Sequence, residues 1–352
     1  MELDELDARL VHALQVEPRA SWSDLAPIVG ADSATLARRW ARLHAEGIAW
    51  TTGYLEPAQY AIVELDFDRH VTREVAARLQ QNPGVFVIDV CSGSRDLLLI
   101  VIAPDIRSLA DFVTGPDLKG LGAVRTHLVS ELLSDGSHWR LRALSPAEVE
   151  RIPPPRLPRA RAARTIPDDL AAAIAREVWM DGRASVAAIA AASGFTPQRI
   201  SDAIAVLRSR GILRLRTDVA RAASGWPVYA WYFVEAPART IESARARIVA
   251  VPEVRLAAVC ASRYNLILAV WLRTLADVNR FELALGKALE GARVADRAVV
   301  LHMMKQIGRS LGTDTRAAGP QLNEPPPTPW ISQELSGNAR IGRVRPRGEG
   351  DG

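Results

Sequence analysis

Cysteine occurs twice in the 352-residue chain, at Cys91 and Cys260. Two isolated thiols exclude a disulfide framework and a cysteine-based zinc site. Each lies in an apolar run, where a free cysteine behaves as a small buried hydrophobe. No stretch approaches the ~20 uninterrupted apolar residues that a membrane span requires. The start, MELDELDARL, is acidic where a secretory signal would be basic and then apolar. A cytoplasmic protein without membrane contact is expected. The six histidines (His12, His44, His70, His127, His138 and His302) fall singly. No metal spacing, nucleophile motif or phosphate-cradling glycine loop is present. No catalytic residue, metal or cofactor is therefore expected.

Neither sign of charge is in large excess, with 44 Lys+Arg against 40 Asp+Glu and a net charge of +4. The distribution is uneven. Residues 1–53 are acidic overall, whereas 151–164 carry Arg151, Arg156, Arg159, Arg161 and Arg164 and no acid. An argument for nucleic-acid binding must therefore rest on local patches.

What the chain does have is an internal repeat. Residues 3–48 fall on 167–212 without a gap, so that Asp4, Arg19, Ser21, Gly30 and Gly47 meet Asp168, Arg183, Ser185, Gly194 and Gly211. Pro83, Cys91 and Phe112 match Pro252, Cys260 and Phe281 at a shift of 169. A repeat of this length dictates the architecture.

Each copy divides in two. Residues 3–50 read as three short helices, with cap residues Ser21 and Asp32 and a turn at Gly30; copy two repeats the plan with Ser185, Gly194 and Thr196-Pro197. Two helices joined by such a turn form a helix-turn-helix unit, and segments 48–54 and 212–217 would supply short wings. The remainder switches period and reads as βαββαβ in both copies, a ferredoxin-like plan with helices on one sheet face. The second copy is the nearest cover for the bare face. The expected fold is α+β: two winged helix-turn-helix modules (1–55, 165–220) and two ferredoxin-like βαββαβ effector-binding domains (58–140, 226–310), arranged as an internal pseudo-dimer. A Pro/Arg-rich linker (141–164) joins the copies, and a disordered tail (311–352) follows.

These features resemble the Lrp/AsnC family, the leucine-responsive or feast/famine transcription regulators. The carrying residues are Leu3-Asp4-Glu5-Leu6-Asp7, Arg19-Ala20-Ser21, Leu25-Ala26 with Gly30, the run 35–43, and Glu46-Gly47-Ile48. The Gly-x-x-Asp turn of the family's effector domain corresponds to Gly93-Ser94-Arg95-Asp96. The chain looks like two such proteins fused in tandem. The resemblance implies double-stranded DNA and a small amino-acid-like effector as partners. It also implies self-association through the effector domains, to a homodimer or larger.

On this reading the third helix is the recognition helix. Arg38, Arg39 and Arg42 place three cations within about one turn, and Ser33 and Thr35 are short donors near its start. Copy two keeps Gln198, Arg199 and Ser201 but has Asp202 and Ala203 where Arg38 and Arg39 stand. The resemblance places the effector at Gly93, Ser94, Arg95 and Asp96; the second turn reads Ser262-Arg263-Tyr264-Asn265, so Arg263, Tyr264 and Asn265 would shape a dissimilar pocket. Two alternatives remain. One is an enzyme resembling sirohaem decarboxylases, which share this build and also occur fused in tandem. Those rely on a His-containing stretch after the wing, and the matching segments 51–60 and 217–229 hold no histidine. The other is a ligand-sensing scaffold that no longer binds DNA.

Overall fold

The computed structural model describes residues 3–56, 59–66, 72–119, 121–159, 165–321 and 324–327. The chain opens with α1 (Glu5–Val16), α2 (Trp22–Val29), α3 (Ser33–Ala45) and β1 (Ala49–Leu55). Each helix begins where a short polar side chain accepts an otherwise unpaired backbone N–H: Asp4 from Asp7, Ser21 from Asp24, Asp32 from Thr35. Gly30 ends α2 at φ +90°, a left-handed turn that costs glycine nothing. Leu10, Leu14, Leu25, Leu36 and Leu43 close the three helices over one core.

The first sheet unit follows: β2 (Gln59–Asp66), α4 (Thr72–Gln80), β3 (Val85–Cys91), β4 (Leu97–Ala103), α5 (Ile106–Thr114) and β5 (Ala123–Ser134). After the short helix α6 (Pro146–Glu150), copy two gives α7 (Asp168–Met180), α8 (Val186–Ser193), α9 (Pro197–Ser209) and β6 (Leu213–Val219). Its sheet unit is β7 (Val228–Glu235), α10 (Ala238–Ala250), β8 (Val254–Cys260), β9 (Leu266–Leu272), α11 (Asp277–Ala288) and β10 (Arg293–Gln306). A last pair, β11 (Arg309–Leu311) and β12 (Ala317–Gln321), extends β10.

Within each unit the strands take the ferredoxin-like order, β5-β2-β4-β3 and β10-β7-β9-β8. The units also pair at both edges, β5 with β8 and β10 with β3, closing an eight-stranded barrel. Val129 lies opposite Cys260 and Val300 opposite Cys91, so the paired cysteines of the repeat sit at corresponding points of the two seams. Closure leaves neither unit with a bare edge. The helices stay outside: α4 and α5 cover Val63, Leu99 and Val101, and α10 and α11 cover Tyr232, Leu268 and Val270. Alternate residues point in, where Ile62, Leu98, Trp231, Phe233, Ile267 and Trp271 form the barrel interior.

The helical modules also meet each other. β1 and β6 pair antiparallel with Thr52 opposite Arg216, its own counterpart in the repeat. Arg19 donates to Gly182 O and Ala184 O at 2.8 and 2.7 Å, and its counterpart Arg183 donates to Pro18 O and Ala20 O. The exchange is reciprocal, as in an isologous contact.

Four expectations change. No wing hairpin forms within either module among the described residues, because β1 and β6, each lacking a local partner, pair with one another. The spacing over 108–121 suggests one helix, but α5 stops at Thr114, before Gly115 and Pro116, since proline restrains its predecessor from helical backbone. The first half of the expected linker is docked on α1. There the Leu144 N–H donates to His12 Nδ1 at 2.8 Å, Leu141 N–H donates to Gln15 Oε1 at 2.8 Å, and Arg9 pairs with Glu148 at 2.6 Å. Burial pushes the His12 imidazole down to about 4, which preserves it as a neutral acceptor. Lastly, the expected tail contributes β12, whose Ala317 N–H donates to Gly47 O at 2.9 Å. Arg161, Arg164 and the tail residues 322–323 and 328–352 lie outside the described residues.

Candidate nucleic-acid interface and ligand turns

The helix α3 presents its expected contact residues unequally. Thr35 gives both its N–H (2.9 Å) and its hydroxyl (2.8 Å) to the Asp32 cap, and these bonds hold the Asp32 carboxyl below its ordinary range. Ser33 stands half-exposed in the first turn. Arg39 reaches back to Asp4 at 2.6 Å and Asp7 at 2.9 Å, and Arg42 pairs with the other Asp7 oxygen. Both arginines therefore fasten α3 to the start of α1. Arg38 is exposed, touches Thr35 Oγ1 at 3.4 Å, and has no carboxylate partner among the described residues.

On α9, Thr196 caps the helix through the Arg199 N–H, and Pro197 occupies its first position. The exposed Arg199 lies 5.0 Å from the Phe195 ring. Gln198 donates to Asp202 at 2.6 Å. Ser201 accepts from Arg156 at 3.3 Å, and Asp202 faces Arg159 at 3.6 Å.

The two turns differ just as sharply. Gly93 (φ +91°) and Ser94 are exposed between β3 and β4, but Arg95 is only 3% exposed. Arg95 pairs with Glu64 on β2 and Asp296 on β10, and stacks 4.2 Å from the Phe233 ring. Asp96 directly precedes β4, its backbone N–H donating to Leu65 O at 2.9 Å. Glu64 also binds His127 Nε2 at 2.6 Å, while His127 Nδ1 meets Ser262 Oγ at 2.9 Å. Burial alone would raise the Glu64 pKa; the His127 hydrogen bond and the Arg95 charge outweigh it and hold the carboxyl below its usual value. Phe233 and Tyr264 occupy the repeat positions of Glu64 and Arg95, and the Tyr264 ring packs 5.4 Å from Phe233 and 5.6 Å from His127. Arg95 is thus engaged inside the barrel by two carboxylates and an aromatic ring.

The second turn opens outward. Arg263 is exposed and pairs with Glu235 at 2.8 Å, and Arg293 reaches the other oxygen of Glu235 at 2.7 Å. The Asn265 side chain is occupied by both backbone groups of Ala236. These residues, with Pro237, Ser262 and Gly291, line an open cleft of about 470 Å³.

Sequence reasoning missed the buried polar groups that join barrel and modules. Asp218 on β6 accepts from Arg216 (2.7 Å), Arg255 (3.0 Å) and Gln306 (2.7 Å), and Arg255 is held over the Trp271 ring at 3.8 Å. Asp89, buried on β3, accepts from Trp231 Nε1 at 3.0 Å. The available signal was a lone acid in an apolar strand, as in Val87-Ile88-Asp89-Val90 and Ile62-Val63-Glu64-Leu65. Lys305 on β10, buried beside Asn82 O at 2.8 Å, has its pKa pushed down to about 7 by desolvation. Among the described residues no three His, Cys, Asp or Glu side chains gather to hold a metal ion, and no helix is long and apolar enough to cross a membrane. His70 lies outside the described residues.

Comparison with known proteins bears on both halves of copy one. Residues 3–44 match the AsnC-type helix-turn-helix domain, and residues 60–138 match the Lrp/AsnC ligand binding domain. An uncharacterized HTH-type transcriptional regulator of Pyrococcus furiosus is 28% identical over 138 residues, covering 37% of this chain and 93% of that protein. One from Pyrococcus horikoshii is 28% identical over 140 residues, covering 38% and 89%. At the level of fold, the whole chain is similar to the crystal structure of the siroheme decarboxylase NirDL, with a TM-score of 0.56 at 14% identity, covering 95% of this chain and 99% of that one. The two domain matches thus follow one another, helix-turn-helix first and ligand binding second, within copy one.

Proposed function

We propose that the chain is a DNA-binding transcriptional regulator of the Lrp/AsnC type, built as an internal pseudo-dimer and modulated by a small amino-acid-like effector. The observation that carries this reading is the pair of domain matches in their regulatory order on copy one. Ser33, Thr35 and Arg38 form the base-facing edge of α3, and Arg39 and Arg42 keep that helix at its angle on α1. Arg38→Ala should weaken binding to a selected duplex by about 1–3 kcal/mol without lowering Tm, as for a guanine-reading arginine. Arg39→Ala should lower Tm instead. Fluorescence anisotropy and thermal melts read the two effects. Equal DNA recovery by wild type and Arg38→Ala would remove α3 from the interface.

For the effector, the cleft at the second turn offers Arg263 and Arg293 to a carboxylate and Glu235 to an ammonium. A zwitterion replaces the internal pairs by matched ones. The strand β10 connects the two functions, since Arg293 at one end lines the cleft and Gln306 at the other bonds Asp218 on β6. A ligand acts through this strand only if it binds two arrangements with different affinity. A thermal-shift screen of the free amino acids should produce a hit that Glu235→Ala abolishes. A hit that survives this substitution would place the site elsewhere.

The shared fold with NirDL supports a second reading, a sirohaem-decarboxylase-like enzyme. Fold likeness transfers no catalytic residue, and segments 51–60 and 217–229 lack the histidine that this chemistry is expected to use. Titration with sirohaem distinguishes the two: a saturable shift of its absorbance on binding supports the enzyme.

A further inference from the structure

The second module has an acid where the first has Arg38, and the structure sets charge beside that acid from outside the helix. By the repeat register, Asp202 on α9 occupies the place of Arg38 on α3, the one arginine of that helix without a carboxylate partner among the described residues. A bare carboxylate there would repel phosphates. Arg159 faces it at 3.6 Å, and Arg156 donates to the neighbouring Ser201 at 3.3 Å. Both arginines are exposed. They come from the acid-free segment between the copies, whose residues Pro153, Pro154 and Pro155 share a groove of about 290 Å³ with Ile204 and Ala205 of α9. Proline fixes φ and lowers the entropy lost in holding this segment in place. The same segment is anchored upstream, where Arg151 donates to Pro27 O at 3.2 Å.

We infer that Arg156 and Arg159 are DNA-backbone contacts lent to the second module by the connecting segment, in the place that Arg38 holds in the first. The segment meets α9 at Ser201 and Asp202, so these two positions do not read bases. The second module grips phosphates and positions the duplex, while α3 supplies the sequence reading. The chain is thus an asymmetric clamp with one reading half and one holding half. This inference rests on the DNA-binding reading and adds to it a division of labour between the copies.

The test uses the full chain and two unrelated 40-base-pair duplexes of mixed sequence, with affinity measured by anisotropy from 50 to 200 mM NaCl. Each lost phosphate contact lowers the slope of log K against log[salt] by about 0.9. Arg156→Ala/Arg159→Ala should therefore flatten the slope by about 2 and weaken both duplexes equally, roughly 10- to 100-fold near 0.1 M salt. Arg156→Lys/Arg159→Lys should keep the slope, because the contact needs charge and not the hydrogen bond to Ser201. Melting curves verify that the variants are folded. An unchanged slope in the alanine variant, with wild type binding and Arg38→Ala weakened, overturns the linker contacts and leaves the DNA reading intact. Tighter binding by the alanine variant also overturns them, since the segment would then be a cover. Absence of salt-dependent binding by the wild-type chain defeats the DNA reading itself.

Discussion

Trp231→Ala should cost about 3–5 kcal/mol of stability, the upper range for a large-to-small change in a packed core. Trp231 is fully buried on β7 and points into the barrel. Its two cross-strand partners are small: Ala298 lies opposite on β10, and Ala269 opposite on β9. Alanine neighbours cannot lean into the space a lost indole leaves, so the cavity persists and the cost stays high. The substitution also deprives Asp89 of the indole N–H at 3.0 Å. Trp231→Phe separates the two effects: it keeps most of the volume, loses the donor, and should cost about 1–3 kcal/mol. Urea denaturation should show a lower midpoint at unchanged slope in both variants. A loss under about 1 kcal/mol for Trp231→Ala would mean that the barrel interior is not the packed core described above.

The repeat, the helix caps and the strand order are legible in the sequence because each is decided locally. Ser21 and Asp32 cap the helices that follow them, and the short apolar runs at 85–91 and 254–260 read as buried strands. What escapes the sequence is decided between distant segments. Nothing in the period of β5 states that its free edge joins β8, or that β1 crosses to β6 instead of folding into a wing. Arg39 and Arg42 look like DNA contacts on a helical wheel, and their engagement is fixed by Asp7, more than thirty residues away on another helix. Arg95 looks like a turn residue beside a ligand. Its burial depends on Glu64 and Asp296, the second of them in the other copy. The disagreement between copies at Arg38 and Asp202 is visible from the register alone, but its meaning emerges only with Arg159 beside the carboxylate.

The pH dependence of stability should carry the signature of one carboxyl, Asp89. It is 0% exposed, and burial pushes its pKa up to about 7 against the hydrogen bonds from Trp231 and Tyr229 and the charge of Arg221. In the unfolded chain the same group titrates near its ordinary value of 3.8. Between these values the folded state holds a proton that the unfolded state releases, so Asp89 makes stability fall as pH rises from about 4 to about 7. The whole decline amounts to roughly 4 kcal/mol, from about 1.4 kcal/mol per pKa unit. Asp89→Asn removes the titration while keeping an acceptor for Trp231. The variant should match wild type near pH 4 and gain on it steadily up to pH 7, with no further change above. His12 titrates in the opposite sense, its lowered pKa making wild type lose stability as pH falls from 6.5 toward 4. It is present in both proteins and cancels in the difference. Paired denaturation curves from pH 4 to 8 measure that difference directly, and a value independent of pH would show that the Asp89 carboxylate is not held at the energetic disadvantage its burial implies.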